Sequence, residues 1–166
     1  MSSDLDFPVC IFRYPTEQNH HQWELVEQLY AWLEVDQDVS YPNEVGRIDA
    51  SIIVCRVESN PADDDQVGSR APVYRAASGK ICVATGLIFV ALNEGFTIED
   101  CQSDLNKAGF EIQKRSPAGG VWLRHQSGSI QSALSCYSAL AEFKELQSVE
   151  PQLLMQRAAR NSRRSR

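Results

Sequence analysis

Histidine is scarce in this chain, with three residues among 166, and no two cysteines form a C-x-x-C pair. His20, His21 and His125 are not spaced from any cysteine as zinc ligands are, so the sequence implies no metal site, and no motif implies a cofactor. The five cysteines (Cys10, Cys55, Cys82, Cys101 and Cys136) are an odd number that cannot close completely into intramolecular disulfides. Four fall in apolar or helix-patterned segments and read as buried thiols, each acting as a small hydrophobe. No apolar run approaches the roughly twenty residues of a membrane-spanning helix. Residues 1–8 carry acids where a secretory signal needs a positive charge. The chain as given is expected to be cytoplasmic unless it is exported within a longer precursor.

What is present is enough apolar side chain, 43% of residues, to bury a real core. The net charge of −6 is unevenly spread. Residues 157–166 hold five of the sixteen basic residues and no acid, leaving eleven bases against twenty-two acids before them, a net −11. A basic tail on an acidic body is an interaction handle or a solvated end, and argues against nucleic-acid binding by the whole surface.

Along the chain, residues 9–14 read as a strand closed by Pro15. Positions 18–33 place Trp23, Val26, Tyr30 and Leu33 on one stripe, which predicts an amphipathic helix. Residues 36–46 read as loop and 50–57 as a strand. Residues 58–72 form an acidic loop, with Asp63, Asp64 and Asp65 lacking the ligand spacing and terminal glutamate of an EF-hand. Residues 1–70 are thus expected as a smaller α/β segment of open role.

The second half is more legible. Segments 73–75 and 80–83 suggest a hairpin around Ser78 and Gly79, and 87–92 is apolar throughout, as in a central strand. Thr97 offers a helix N-cap, with Ile98, Cys101, Leu105 and Ala108 as the stripe and Gly109 as the stop. Strands follow at 110–115 and 120–125. A second helix from Gly128 and Ser129 turns Ile130, Leu134, Tyr137 and Ala141 inward, and a last strand covers 143–150. The expected class is α+β: a ferredoxin-like βαββαβ unit over 73–156 with a four-stranded antiparallel sheet and both helices on one face. The other face then needs a cover, from the N-terminal half or from a partner. Residues 157–166 are expected to be a disordered arginine-rich tail.

Several segments of this unit, in order, resemble the propeptide domain of the subtilisin-like serine proteases, the subtilases, a family that includes free-standing inhibitors. Thr85-Gly86-Leu87-Ile88-Phe89-Val90 is similar to its first strand. Leu105-Asn106-Lys107-Ala108-Gly109-Phe110-Glu111-Ile112 resembles its helix end and second strand, and Gly120-Val121-Trp122-Leu123 its third. Val149-Glu150-Pro151-Gln152-Leu153-Leu154-Met155 is similar to the ending with which such propeptides leave the domain. The resemblance implies a non-catalytic inhibitor or folding chaperone. Its sheet face, with Phe89 and Trp122, would lie on the protease, and its tail would lie product-like in the substrate cleft. It implies Glu150 against helix N-termini of the protease, an exit from the last strand at Pro151, and Gln152, Leu153, Leu154, Met155, Gln156 and Arg157 toward or in the cleft. The opposing reading folds Leu153, Leu154 and Met155 back on the protein's own core.

Catalysis finds no support: the subtilase Asp-Ser/Thr-Gly, His-Gly-Thr and Gly-Thr-Ser motifs are absent, and no motif sets a nucleophile beside His20 or His21. Another class, the RNA-recognition module, shares the expected fold, and Ile88-Phe89-Val90-Ala91-Leu92-Asn93 superficially matches its first strand. Its third strand would need a basic residue and two aromatics, where this chain has Trp122 alone. A general protein-interaction domain, or a small-molecule or metal sensor of the same fold, completes the alternatives.

Overall fold

The computed structural model describes residues 6–15, 22–38, 40–41, 43–57 and 69–156. The acidic run at Asp63, Asp64 and Asp65, His20, His21, Arg157 and the rest of the arginine tail lie outside these residues. Among the described residues the elements run β1 (Cys10–Phe12), β2 (Gln22–Leu33), β3 (Glu44–Asp49), β4 (Ile52–Arg56), β5 (Ser69–Ala76), β6 (Ile81–Leu92), α1 (Ile98–Lys107), β7 (Phe110–Arg115), β8 (Val121–His125), α2 (Ile130–Cys136) with a 3₁₀ turn (Tyr137–Glu142), and β9 (Leu146–Leu154). The protein is α+β, with an antiparallel sheet. No helix here is long and apolar enough to cross a membrane.

The sheet is larger than the expected four-stranded unit. Among the described residues nine strands join in the order β3-β4-β2-β5-β6-β8-β7, with β1 also on β2 and β9 also on β6. Strand β5 runs across the expected boundary at residues 70–73 and pairs with β2 and β6. The hairpin strand at 80–83 and the central strand at 87–92 are one strand, β6. One edge of β6 holds β5 through Ile81, Cys82 and Val83, then β8 through Ile88, Phe89 and Val90, while its other edge holds β9. The change of partner occurs at an irregularity between Ala84 and Ile88. Gly86 sits there with φ of +84°, where a Cβ would lie 3.0 Å from the Ile130 Cα, so only glycine meets both the backbone and the space.

The helix expected at 18–33 is a correction: the described part is strand β2. Its apolar residues serve two faces. Val26 and Ala31 pack with Ile52, Val54, Ala71, Val73 and Val83, and Trp32 packs with Val35, Ile53, Cys55 and Tyr30 on the opposite side. An irregular register between Leu25 and Tyr30 adds a further shift. Burial on both faces plus a bulge reproduces the apparent helical stripe. The expected loop at 36–46 likewise gives way to β3 from Glu44.

Helix α1 starts where expected, with the Asp100 carboxylate accepting from the Thr97 N–H (2.6 Å) and hydroxyl (2.9 Å). Its Ile98, Cys101 and Leu105 share one core with Ala133, Leu134, Tyr137 and Leu140 and with Ile88, Val90, Phe110, Leu123 and Val149, so both helices lie on one face of β9-β6-β8-β7. The inward position expected at Ala141 falls instead on Leu140. The chain tightens to three residues per turn at Tyr137, which makes Leu134, Tyr137 and Leu140 a stripe.

The sheet closes on itself. Tyr14 and Val149 exchange two backbone hydrogen bonds, of 2.9 and 3.0 Å, which links β1 to β9 and completes a ring β1-β2-β5-β6-β9. Continuing that register by two residues sets Phe12 opposite Pro151, which has no N–H to give. Tyr137 fills the gap: its hydroxyl accepts from the Phe12 N–H (2.6 Å) and donates to the Phe12 carbonyl (2.8 Å). The Tyr74 hydroxyl similarly donates to the Pro8 carbonyl at 2.9 Å. Tyr137→Phe removes one group that serves both backbone atoms of Phe12, and is expected to cost about 1–3 kcal/mol in urea denaturation; a loss under about 0.5 kcal/mol would show that another group satisfies them.

Burial pushes the Cys82 thiol up to about 11 and lifts the phenols of Tyr74 and Tyr137 above their usual range. The folded state therefore favours the protonated form of each group. Their contribution to stability is whole below the ordinary thiol and phenol values, about 8.5 and 10, and drains away as pH rises through the raised ones. Denaturation midpoints should fall above about pH 9, and the fall should be shallower in Tyr137→Phe.

Candidate functional site

Alternation along β6, β8 and β9 sets the site. Ile88, Val90, Val121, Leu123 and Val149 turn into the helix-covered core, so their neighbours Phe89, Trp122 and Glu150 point to the opposite face. Phe89 is directly opposite Trp122 on β8 and Glu150 on β9. The three make one row across three strands, with the Phe89 and Trp122 rings 5.0 Å apart and inclined at 57°. Both rings are half-buried. Gly120 makes room for them: its φ is +83°, and a Cβ there would lie 2.5 Å from the Phe89 ring and 2.8 Å from the Val90 carbonyl oxygen.

Two arginines near this row are paired with carboxylates, while Lys114 on β7 stands directly opposite Trp122. The Arg13 guanidinium lies 2.6 Å from a Glu150 carboxylate oxygen, brought there by the Tyr14 to Val149 bridge one residue further on each strand. Arg124 on β8 bonds Glu111 on β7 at 2.5 Å. Each guanidinium is thus partly neutralised by a neighbouring carboxylate.

The terminal segment is only partly available. Strand β9 continues through Pro151 to Leu154, three residues past the expected exit, because Leu153 and Leu154 pair with Ala84 and Val83 of β6. Pro151 is buried. The Gln152 side-chain oxygen accepts from the Thr85 hydroxyl at 2.6 Å. Leu153 packs on the main core and Leu154 on the N-terminal one. Both are thus used internally, as the opposing reading of the sequence had it, whereas Met155 is 47% exposed and Gln156 is exposed. Met155 is where the chain leaves the strand; Arg157 lies beyond the described residues.

Elsewhere, the change of partner on β6 opens a shallow cavity of about 340 Å³ bordered by Glu34, Thr85, Gly86, Arg124, His125 and Ser129. The His125 Nδ1 is 2.7 Å from the Ser127 hydroxyl two residues away, and its Nε2 edge lies against Gly109. Among the described residues no group of three or more His, Cys, Asp or Glu is placed to hold a metal ion, and none of the five cysteines is in a disulfide. Sequence reasoning missed Arg13 and the clamp at Tyr137, since neither carries a local signal and both depend on pairings between the two chain ends. No protein-family model, curated protein or solved structure matches the chain.

Gly120→Ala should force the Phe89 ring off its place and strain a left-handed backbone, lowering stability by about 1–3 kcal/mol. Thermal melting checks this; an unchanged midpoint would show that the ring moves freely and that the row is not fixed.

Proposed function

We propose that this chain is a non-catalytic domain of the propeptide kind that binds a subtilisin-type serine protease, either as a separate polypeptide or as part of a precursor. It docks through the sheet face bearing Phe89, Trp122 and Glu150, and the chain from Met155 onward lies in the substrate cleft. The observation that carries the reading is the juxtaposition of this aromatic face, opposite both helices, with a last strand that leads straight into exposed residues. In support, β6-α1-β7-β8-α2-β9 contributes two helices and four antiparallel strands in the order β9-β6-β8-β7 within the larger sheet, the order that a split-βαβ, ferredoxin-like unit would have. An aromatic pair at the centre of a polar surround is the usual anchor of a protein interface. The internal use of Leu153 and Leu154 moves the cleft-binding segment to Met155, Gln156 and Arg157. Inhibition and assistance of protease folding both follow from one such complex.

A second reading rests on the same pair: aromatics side by side on the two central strands are how RNA-recognition modules stack bases. The commitment of Arg13 and Arg124 to carboxylates, and the acidic body, weigh against it.

The test is inhibition of a panel of subtilisin-type proteases by the full chain and by a chain ending at Leu154, which keeps β9 whole. The full chain is expected to inhibit, and the truncated one to fold with an unchanged melting profile and inhibit at least about tenfold more weakly. Lack of inhibition across the panel overturns the proposal. Salt-sensitive RNA binding that Trp122→Ala abolishes would put the second reading in its place.

A further inference from the structure

The N-terminal arm carries no part of the propeptide resemblance, yet it supplies one end of the aromatic row. We infer that Arg13 is a positioning residue of the docking surface: it holds and neutralises Glu150 so that the face can be buried by the protease. The inference rests on the docking face proposed above and assigns to it a residue from outside the propeptide-like unit.

Three observations carry it. The Tyr14 to Val149 bridge fixes the backbone immediately beside the pair, so Arg13 and Glu150 are neighbours by register and not by chance meeting of long side chains. The pair closes at 2.6 Å with the two side chains 44% and 29% exposed, so each has already lost much of its water. Glu150 is directly opposite Phe89, inside the row that docking would cover. A partner laid on Phe89 and Trp122 would strip the remaining water from Glu150. A carboxylate buried alone is strongly unfavourable, whereas one held by a guanidinium keeps its charge compensated and still offers lone pairs to donors on the partner. Removing either member therefore weakens docking by leaving the other charge buried and unpaired, and removing both restores much of it.

The experiment is a double-mutant cycle in the full chain, read as the inhibition constant and the dissociation rate on an inhibited subtilisin-type protease. Arg13→Ala and Glu150→Gln are each expected to weaken inhibition by about 30-fold or more, mainly through faster dissociation. The double variant is expected to lie closer to the unaltered chain than either single one, and Arg13→Lys to recover part of the loss. Melting profiles and inhibition by Arg47→Ala, an ion-paired arginine on distant β3, control for effects on folding and net charge. Inhibition by the unaltered chain together with single variants within about twofold of it, or with losses that simply add, overturns the role of Arg13 while leaving the docking reading standing. A chain that inhibits no subtilase removes that reading and this role with it.

Discussion

Everything in this molecule hangs on the fact that β6 is one strand with two sets of neighbours. Its residues alternate between cores: Cys82, Ala84, Ile88 and Val90 join the helix-covered cluster and Val83 the N-terminal one. Ile130, at the start of α2, touches both clusters and stands directly over Gly86. A side chain at Gly86 would push α2 off the sheet at the point where the strand changes partner. The two halves are therefore not independent units joined by a linker, because the same backbone supplies the ladder for each.

How far the sequence disclosed this depends on the range of the interactions involved. Strand β7, helix α1 and the start of α2 are written in nearby residues: a capping threonine, an apolar stripe, a glycine stop. Each was legible. Strand β2 was not, because its apolar pattern is the sum of two cores on opposite faces and a bulge, and only the folded sheet separates them. Leu140 displaced Ala141 because a change from α to 3₁₀ winding leaves no mark on composition. The exit of the last strand was misplaced since Pro151 reads locally as a terminator, yet its missing N–H is covered from the far side by Tyr137. Of the candidate site, Phe89, Trp122 and Glu150 came from the sequence as separate residues; their alignment in one row, and Arg13 at its end, came only from the register.

The proposed site is chemically quiet. It joins the aromatic pair of Phe89 and Trp122 to the Arg13 and Glu150 ion pair, and would offer a partner shape and paired polarity. Such a surface discriminates through what it would cost to bury in the wrong company: a partner that covers Phe89 without accommodating the Arg13 and Glu150 pair leaves polar groups stranded.

The ring closed by Tyr14 and Val149 joins residues 135 positions apart. Contacts that distant form late, since the intervening chain must first be brought together. During synthesis on the ribosome, β1, β2 and β5 emerge well before β9, and until then the Tyr14 backbone and one edge of β6 have no final partner. Assembly of the barrel-like part thus waits for the last strand, and the stretch that leads into the exposed Met155 and Gln156 is also the one that completes the domain.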